Sequence, residues 1–366
     1  MLYKLLKKYD AEFFLQYASS RDANFYYSTS FKIPDPVLYA IGVDGTDLLV
    51  VPEMEKDRAE KESKVKEIAS LSDLGYYENL KNLKDARKAL AFTYVSLLKS
   101  HKAKKILIPP NFPSFLAFYL KNYFEVEVVE NPFSKLRMIK RKDEIDKIKD
   151  VSAAIIESFK YFLKCLRKFR NCEEIRNEVE LFLFKMGYLA EDTIVASGLE
   201  SANPHSIGFG KVEDHVIFDV FPKSRSHGYF SDFTRTVILN ENKKIEEMLN
   251  AVIEAQETAI SKVKDGVKAK EIHNLVCDVL ESRGYHTIRK GFKEGFIHST
   301  GHGIGLEVHE EPRIFENEDV LRAGMVITIE PGLYYKKVGG VRVEDTVVVK
   351  KNGCEILTPY EKKIKL

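Results

Sequence analysis

Short apolar runs and helix-period patterns alternate along the first third of the chain. Residues 37–43 and 48–52 flank an Asp44-Gly45 turn and predict a hairpin. Helical patterns cover 56–70 and 84–100. A strand is predicted at 105–109, a short helix at 113–123 and another strand at 124–130. Together these predict a small α/β domain. Asn131-Pro132 punctuates its end and the charged stretch 140–149 opens a new helix, which places the boundary near residue 133 and gives domains 1–133 and 134–366.

The remaining two-thirds repeat one pattern. The first half has helices at 143–168 and 173–186, the second closed by Gly187-Tyr188, then a strand at 193–196 and a hairpin over 216–239. The second half has helices at 243–263 and 270–283, closed by Gly284-Tyr285, then strands at 325–330 and 340–350. Glycine after a helix is its ordinary left-handed C-cap, so the closures alone do not establish a repeat. The hairpins do more.

The first hairpin carries Asp219 in Val-Ile-Phe-Asp-Val and Asp232 in Phe-Ser-Asp-Phe-Thr-Arg-Thr. The second carries Glu330 in Ile-Thr-Ile-Glu-Pro-Gly and Glu344 in Val-Arg-Val-Glu-Asp-Thr. Each pair spans a strand, a turn and a returning strand, so antiparallel pairing is expected to set the two carboxylates side by side. Two such charges about 4 Å apart repel by roughly 4 kcal/mol at an effective dielectric of 20. Four converging carboxylates therefore call for cations, and two divalent ions balance their charge. Between the hairpins, residues 296–312 hold His298, His302 and His309. Glycines at 301, 303 and 305 oppose a helix, and Ser299 stands where a His-Glu-x-x-His zinc motif has its Glu. No Gly-Lys-Ser/Thr follows, so this is not a phosphate loop. An extended glycine-rich segment instead lets backbone approach a site closely.

Composition removes other classes. The chain has 366 residues, 44% hydrophobic and 31% charged, with 57 Lys plus Arg against 55 Asp plus Glu. A net charge of +2 supplies no basic field for nucleic acid. The apolar run 89–98 is half the length of a membrane span, and the N-terminal 22 residues do not make a signal peptide. Four cysteines without a C-x-x-C pair make neither a disulfide framework nor a thiolate zinc site, so a reducing cytoplasm is expected.

The segments 219–235, 298–312, 330–333 and 340–346 resemble the pita-bread metallopeptidases, specifically their prolidase and Xaa-Pro aminopeptidase branch. The resemblance implies an α+β pita-bread domain of duplicated helix–helix–hairpin units behind a smaller creatinase-like α/β N-terminal domain. It implies a dinuclear centre on Asp219, Asp232, His302, Glu330 and Glu344, with Asp232 and Glu344 bridging. His205, His298, His309 and Arg342 match residues lining the substrate cleft. Oxygen-rich ligation with one imidazole favours Mn, Co or Fe over Zn. Glu330 is the expected proton shuttle, and His309 and His298 the expected hydrogen-bond donors to substrate.

The activity implied is hydrolysis of the bond before proline in short peptides, as an Xaa-Pro dipeptidase first and an Xaa-Pro aminopeptidase second. A methionine-type aminopeptidase is disfavoured by the Val-Arg-Val-Glu-Asp context and the N-terminal domain. A non-catalytic pita-bread binding protein is disfavoured by the intact ligands. A homodimer is expected, with the N-terminal domain limiting access. The sequence departs from the family at 220–226, where a longer loop follows Asp219.

Overall fold

In the computed structural model, which describes residues 2–366, the apolar run Phe13–Ala18 forms a strand inside a six-stranded sheet. The order is Glu67–Ser70, Asp47–Val51, Val37–Gly42, Phe13–Ala18, Lys105–Ile108, Glu125–Val128. Both faces are covered. Phe14, Tyr39, Leu49 and Leu107 join one core, while Phe13, Leu15, Leu38 and Ile106 join another with Tyr94 and Leu98 of the helix Ala86–Ser100. Burial on both faces is why the strand reads as a nearly continuous apolar run, broken only by the buried Gln16, which accepts from the Ser28 hydroxyl.

The helix expected over 56–70 stops at Glu62, and Glu67–Ser70 is a strand parallel to Asp47–Val51. Ser63 ends the helix with its hydroxyl on Thr29 O at 3.0 Å, and sheet pairing overrides the helical period beyond it. This first compact unit ends at Arg137 and the second runs Met138–Leu366, four residues beyond the expected boundary. Pro132 opens the helix Pro132–Met138 instead of closing the domain, a position that proline favours.

The second unit is built on a nine-stranded sheet. Its central path is Glu310–Ile314, Gly301–Gly303, Val326–Ile329, Glu344–Lys350, Phe233–Ile238, His215–Val220, Ile194–Ser197. Gly353–Ile356 adds to Glu344–Lys350, and Ile364–Lys365 adds in parallel to Phe233–Ile238. Two helix pairs supply the cores. Lys142–Lys168 and Cys172–Lys185 pack on Phe218, Val220 and Phe233, whereas Lys243–Lys262 and Ala269–Ser282 pack on Ile327, Ile329, Val347 and Val349.

Asn171 and Asn242 cap two of these helices by accepting from Glu174 N and Ile245 N, a kind of contact worth about 1 kcal/mol each. Gly187 (φ 94°) and Gly284 (φ 82°) follow the second helix of each pair in the left-handed conformation. The second half does not contain one simple hairpin. Between Glu330 and Glu344 the chain makes a separate two-stranded sheet, Gly332–Tyr335 with Gly339–Arg342. No helix among the described residues is long and apolar enough to cross a membrane.

Candidate metal centre

The sheet register builds the site. Asp219 is paired with Thr234, and Thr234 with Glu344, so these three lie in one row across three strands. Side chains of one row project to the same face, as do residues two apart on a strand. Asp232, two residues before Thr234, therefore joins Asp219 and Glu344 on that face. Ile329 pairs with Asp345, which carries the following Glu330 to the level of Glu344.

The expected side-by-side pairing of Asp219 with Asp232 is thus corrected to a diagonal one. The loop between them is not a tight turn. Its Lys223–Ser224 segment pairs with Tyr188–Leu189, so the loop does not dictate the register.

His302 arrives from the neighbouring strand Gly301–Gly303, where a Cβ on Gly301 would meet Thr328 O at 1.9 Å and one on Gly303 would meet Glu311 O at 2.3 Å. Only glycine lets the chain pass this close. His302 Nδ1 donates to Gly303 O at 3.1 Å, which leaves Nε2 facing Glu330 Oε1 at 3.2 Å and Asp232 Oδ2 at 3.8 Å. Ligand atoms of Asp232, His302 and Glu344 all lie within 4.8 Å of one another.

Thr234 Oγ1 donates to Glu344 Oε2 at 2.7 Å, and Phe233 N to Asp232 Oδ1 at 2.9 Å. Thr328 Oγ1 donates to Glu330 Oε1 at 3.3 Å. Asp219 Oδ1 and Glu344 Oε1 are buried without a hydrogen-bond partner. A buried carboxylate oxygen left bare is costly, and a cation is the group it fits.

The electrostatics agree. Burial, followed by the charge of neighbouring carboxylates, pushes Asp232 and Glu344 well above the usual carboxylate range. Burial would raise Glu330 too, but its bond to His302 wins and brings it down to about 2. Burial opposes a charged His302, yet Glu330 and Asp232 lift it to about 9. The set draws positive charge to itself, as a cation-binding donor set does.

Around this cluster, the His309 ring meets the His302 ring edge-on at 4.3 Å and is exposed. Burial of its inner part and the charge of His302 lower its pKa. His298 is half-buried, with Nδ1 donating to Ser299 O at 2.7 Å and Nε2 at 3.2 Å from the Tyr334 hydroxyl. Arg342 is buried and bonds Asp219 Oδ2, Tyr334 OH at 2.7 Å, Pro204 O at 3.2 Å and Thr234 Oγ1 at 3.3 Å. A directed chain runs from Arg342 through Tyr334 and His298 to Ser299 O. His205 is exposed in the loop after Gly198–Ala202, and its charge bears on both His298 and His309.

All nine residues singled out from sequence thus lie in or beside one site. Tyr334, Thr234 and Thr328 were missed. Thr234 carried a readable signal, since it is two residues from Asp232 and must share its face.

The profile of Metallopeptidase family M24 matches residues 145–351. The chain belongs to this family. Over 331 residues it is 35% identical to an Xaa-Pro dipeptidase of Pyrococcus furiosus, spanning 88% of this chain and 87% of the relative. An Xaa-Pro dipeptidase from Bacillus anthracis superposes with a TM-score of 0.85 at 28% identity, covering 100% of this chain and 98% of the other. An X-Pro aminopeptidase from Thermotoga maritima superposes at 0.81 and 28% identity, with 98% of each chain covered. This M24 chain is a metallopeptidase with the α+β pita-bread fold, related closely to Xaa-Pro dipeptidases.

Proposed function

We propose that this M24 metallopeptidase hydrolyses the peptide bond before proline as an Xaa-Pro dipeptidase, using two divalent ions held by Asp219, Asp232, His302, Glu330 and Glu344. The observation that carries the metal centre is the row Asp219–Thr234–Glu344, with Asp232, Glu330 and His302 on the same face and two bare buried oxygens. We read Asp232 and Glu344 as the bridging pair, since they are central to the cluster, and Mn, Co or Fe as the fitting metals. The two helix pairs, each followed by strands that bring two of the carboxylates, support an internal duplication.

When bound, such ions lower the pKa of a water and polarise the scissile carbonyl. The chain's own groups do the rest. Glu330, its Oε1 accepting from the Thr328 hydroxyl, takes the proton of the attacking water and delivers it to the departing proline nitrogen. His309, exposed beside the His302 ring, offers an N–H to the carbonyl oxygen as charge develops there. We read His205 as a further substrate-side residue, its exposed position near His298 and His309 supporting that. Proline nitrogen has no N–H and its φ is fixed near −65°, so a cleft gripping substrate as an added strand handles it poorly, and a dedicated site is needed.

The names of the Pyrococcus and Bacillus relatives support the dipeptidase. A second reading, Xaa-Pro aminopeptidase, is favoured by Arg342. Its guanidinium is buried and committed to Asp219, Tyr334, Pro204 and Thr234, so it holds a ligand in place and does not present itself to a substrate carboxylate.

Rates on Ala-Pro, Ala-Pro-Ala and carboxamide-blocked Ala-Pro decide between the two. Cleavage of Ala-Pro alone is the expected result. Equal or faster cleavage of the longer and blocked peptides would establish the aminopeptidase, and cleavage of Met-Ala-Ser in their place would overturn the proline assignment.

A further inference from the structure

Arg235 is a fully buried arginine on the strand Phe233–Ile238, one residue from the row that carries Asp219 and Glu344. Nη1 donates to Thr234 O at 2.9 Å and Glu344 O at 2.6 Å. Nη2 donates to Asp345 Oδ1 at 2.7 Å and Tyr360 O at 3.0 Å, and Nε donates to Glu361 O at 3.0 Å. A guanidinium has five N–H donors, and five acceptors meet them. Asp345 is equally occupied, taking Gln256 Nε2 at 2.9 Å and Thr358 Oγ1 at 3.3 Å.

The location gives the pair its meaning. The strands Phe233–Ile238 and Glu344–Lys350 pair over two residues only, Phe233 with Asp345 and Thr234 with Glu344. Beyond that point, Ile364–Lys365 takes over the edge at Val237 and Ile238, and Leu366 N bonds Ile238 O at 3.0 Å. At the gap between these neighbours, where the Thr236 hydroxyl donates to Arg342 O and accepts from Arg342 N, each at 3.0 Å, the Arg235 side chain reaches from one to the other. It bridges the strand carrying Asp232 and Thr234 to the backbone carbonyl of Glu344, and both to residues 360–361.

We propose that Arg235 and Asp345 are positioning residues that set the spacing of Asp232 and Glu344, and that metal binding is linked to the seating of residues 360–366 against them. A cation drawing Asp232 and Glu344 together tightens the same two-residue seam that Arg235 staples, so each step favours the other by thermodynamic reciprocity. The inference rests on the metal centre proposed above.

The test uses the full chain. In Arg235→Lys and Asp345→Asn, Mn²⁺ titrated calorimetrically is expected to bind about 10- to 100-fold more weakly, the usual scale for partners of metal ligands. Asn171→Ala, which removes a distant helix cap, should keep wild-type affinity, so a general loss of stability is told apart from loss of positioning. In the wild type, Mn²⁺ should slow amide hydrogen exchange in residues 361–366. Folded variants with unchanged Mn²⁺ affinity would overturn the proposal. So would exchange in 361–366 that ignores Mn²⁺, a result that stands even if neither variant folds. A wild-type chain that binds no Mn²⁺ overturns the metal centre itself.

Discussion

Asp232→Asn and Glu344→Ala should each abolish nearly all turnover, by about 10³-fold or more, and release at least one metal per chain. A bound ion stabilises transition-state charge by several kcal/mol, and each 1.36 kcal/mol is tenfold in rate. These two carboxylates are the right targets because their environment is the least tolerable without a cation. Both are pushed far above the usual carboxylate range, and Glu344 has a bare buried oxygen. Removing one relieves like-charge crowding, so the variants should fold at least as well as the metal-stripped wild type. Metal analysis alongside kinetics checks this. Variants that lose folding while the wild type shows no peptidase activity would make the carboxylates structural.

The second large effect is at His309. His309→Ala should keep both metals and lose about 10²-fold in kcat, the scale for removing one aligned donor to a developing oxyanion. The ring is exposed, so deleting it opens no cavity, yet it lies 4.3 Å from the His302 ring and within the influence of Glu330. Loss of kcat at constant metal content separates a substrate-side donor from a ligand. Unchanged kinetics would reduce His309 to a solvated histidine beside Glu310 and Glu311.

The carboxylate-bearing face was legible because it breaks a rule of strand composition. Asp219 and Glu344 sit in apolar strand sequence where an unpaired charge is costly, so their presence demands a partner. The four long helices of the second unit were legible from their period, with Gly187 and Gly284 marking two ends, whereas the short helices Leu2–Tyr9, Ala23–Thr29 and Tyr76–Leu83 were not. What escaped was set by long-range pairing. Phe13–Ala18 has no alternation because both its faces are buried. Residues 67–70 leave the helical pattern only because the strand Asp47–Val51 is there to receive them. Arg342 could be read as a substrate ligand or as part of the ligand shell, and only the fold shows its guanidinium on Asp219. Arg235 reads in sequence as an ordinary strand arginine. Its five acceptors come from positions up to 126 residues away, which no local pattern announces.

The most direct test is to strip the full-length chain exhaustively with chelator and titrate Mn²⁺ back while following both bound metal and Ala-Pro hydrolysis. A dinuclear peptidase predicts no turnover in the stripped protein and activity that saturates at two ions per chain. Full turnover by the chelated, metal-free chain would contradict it.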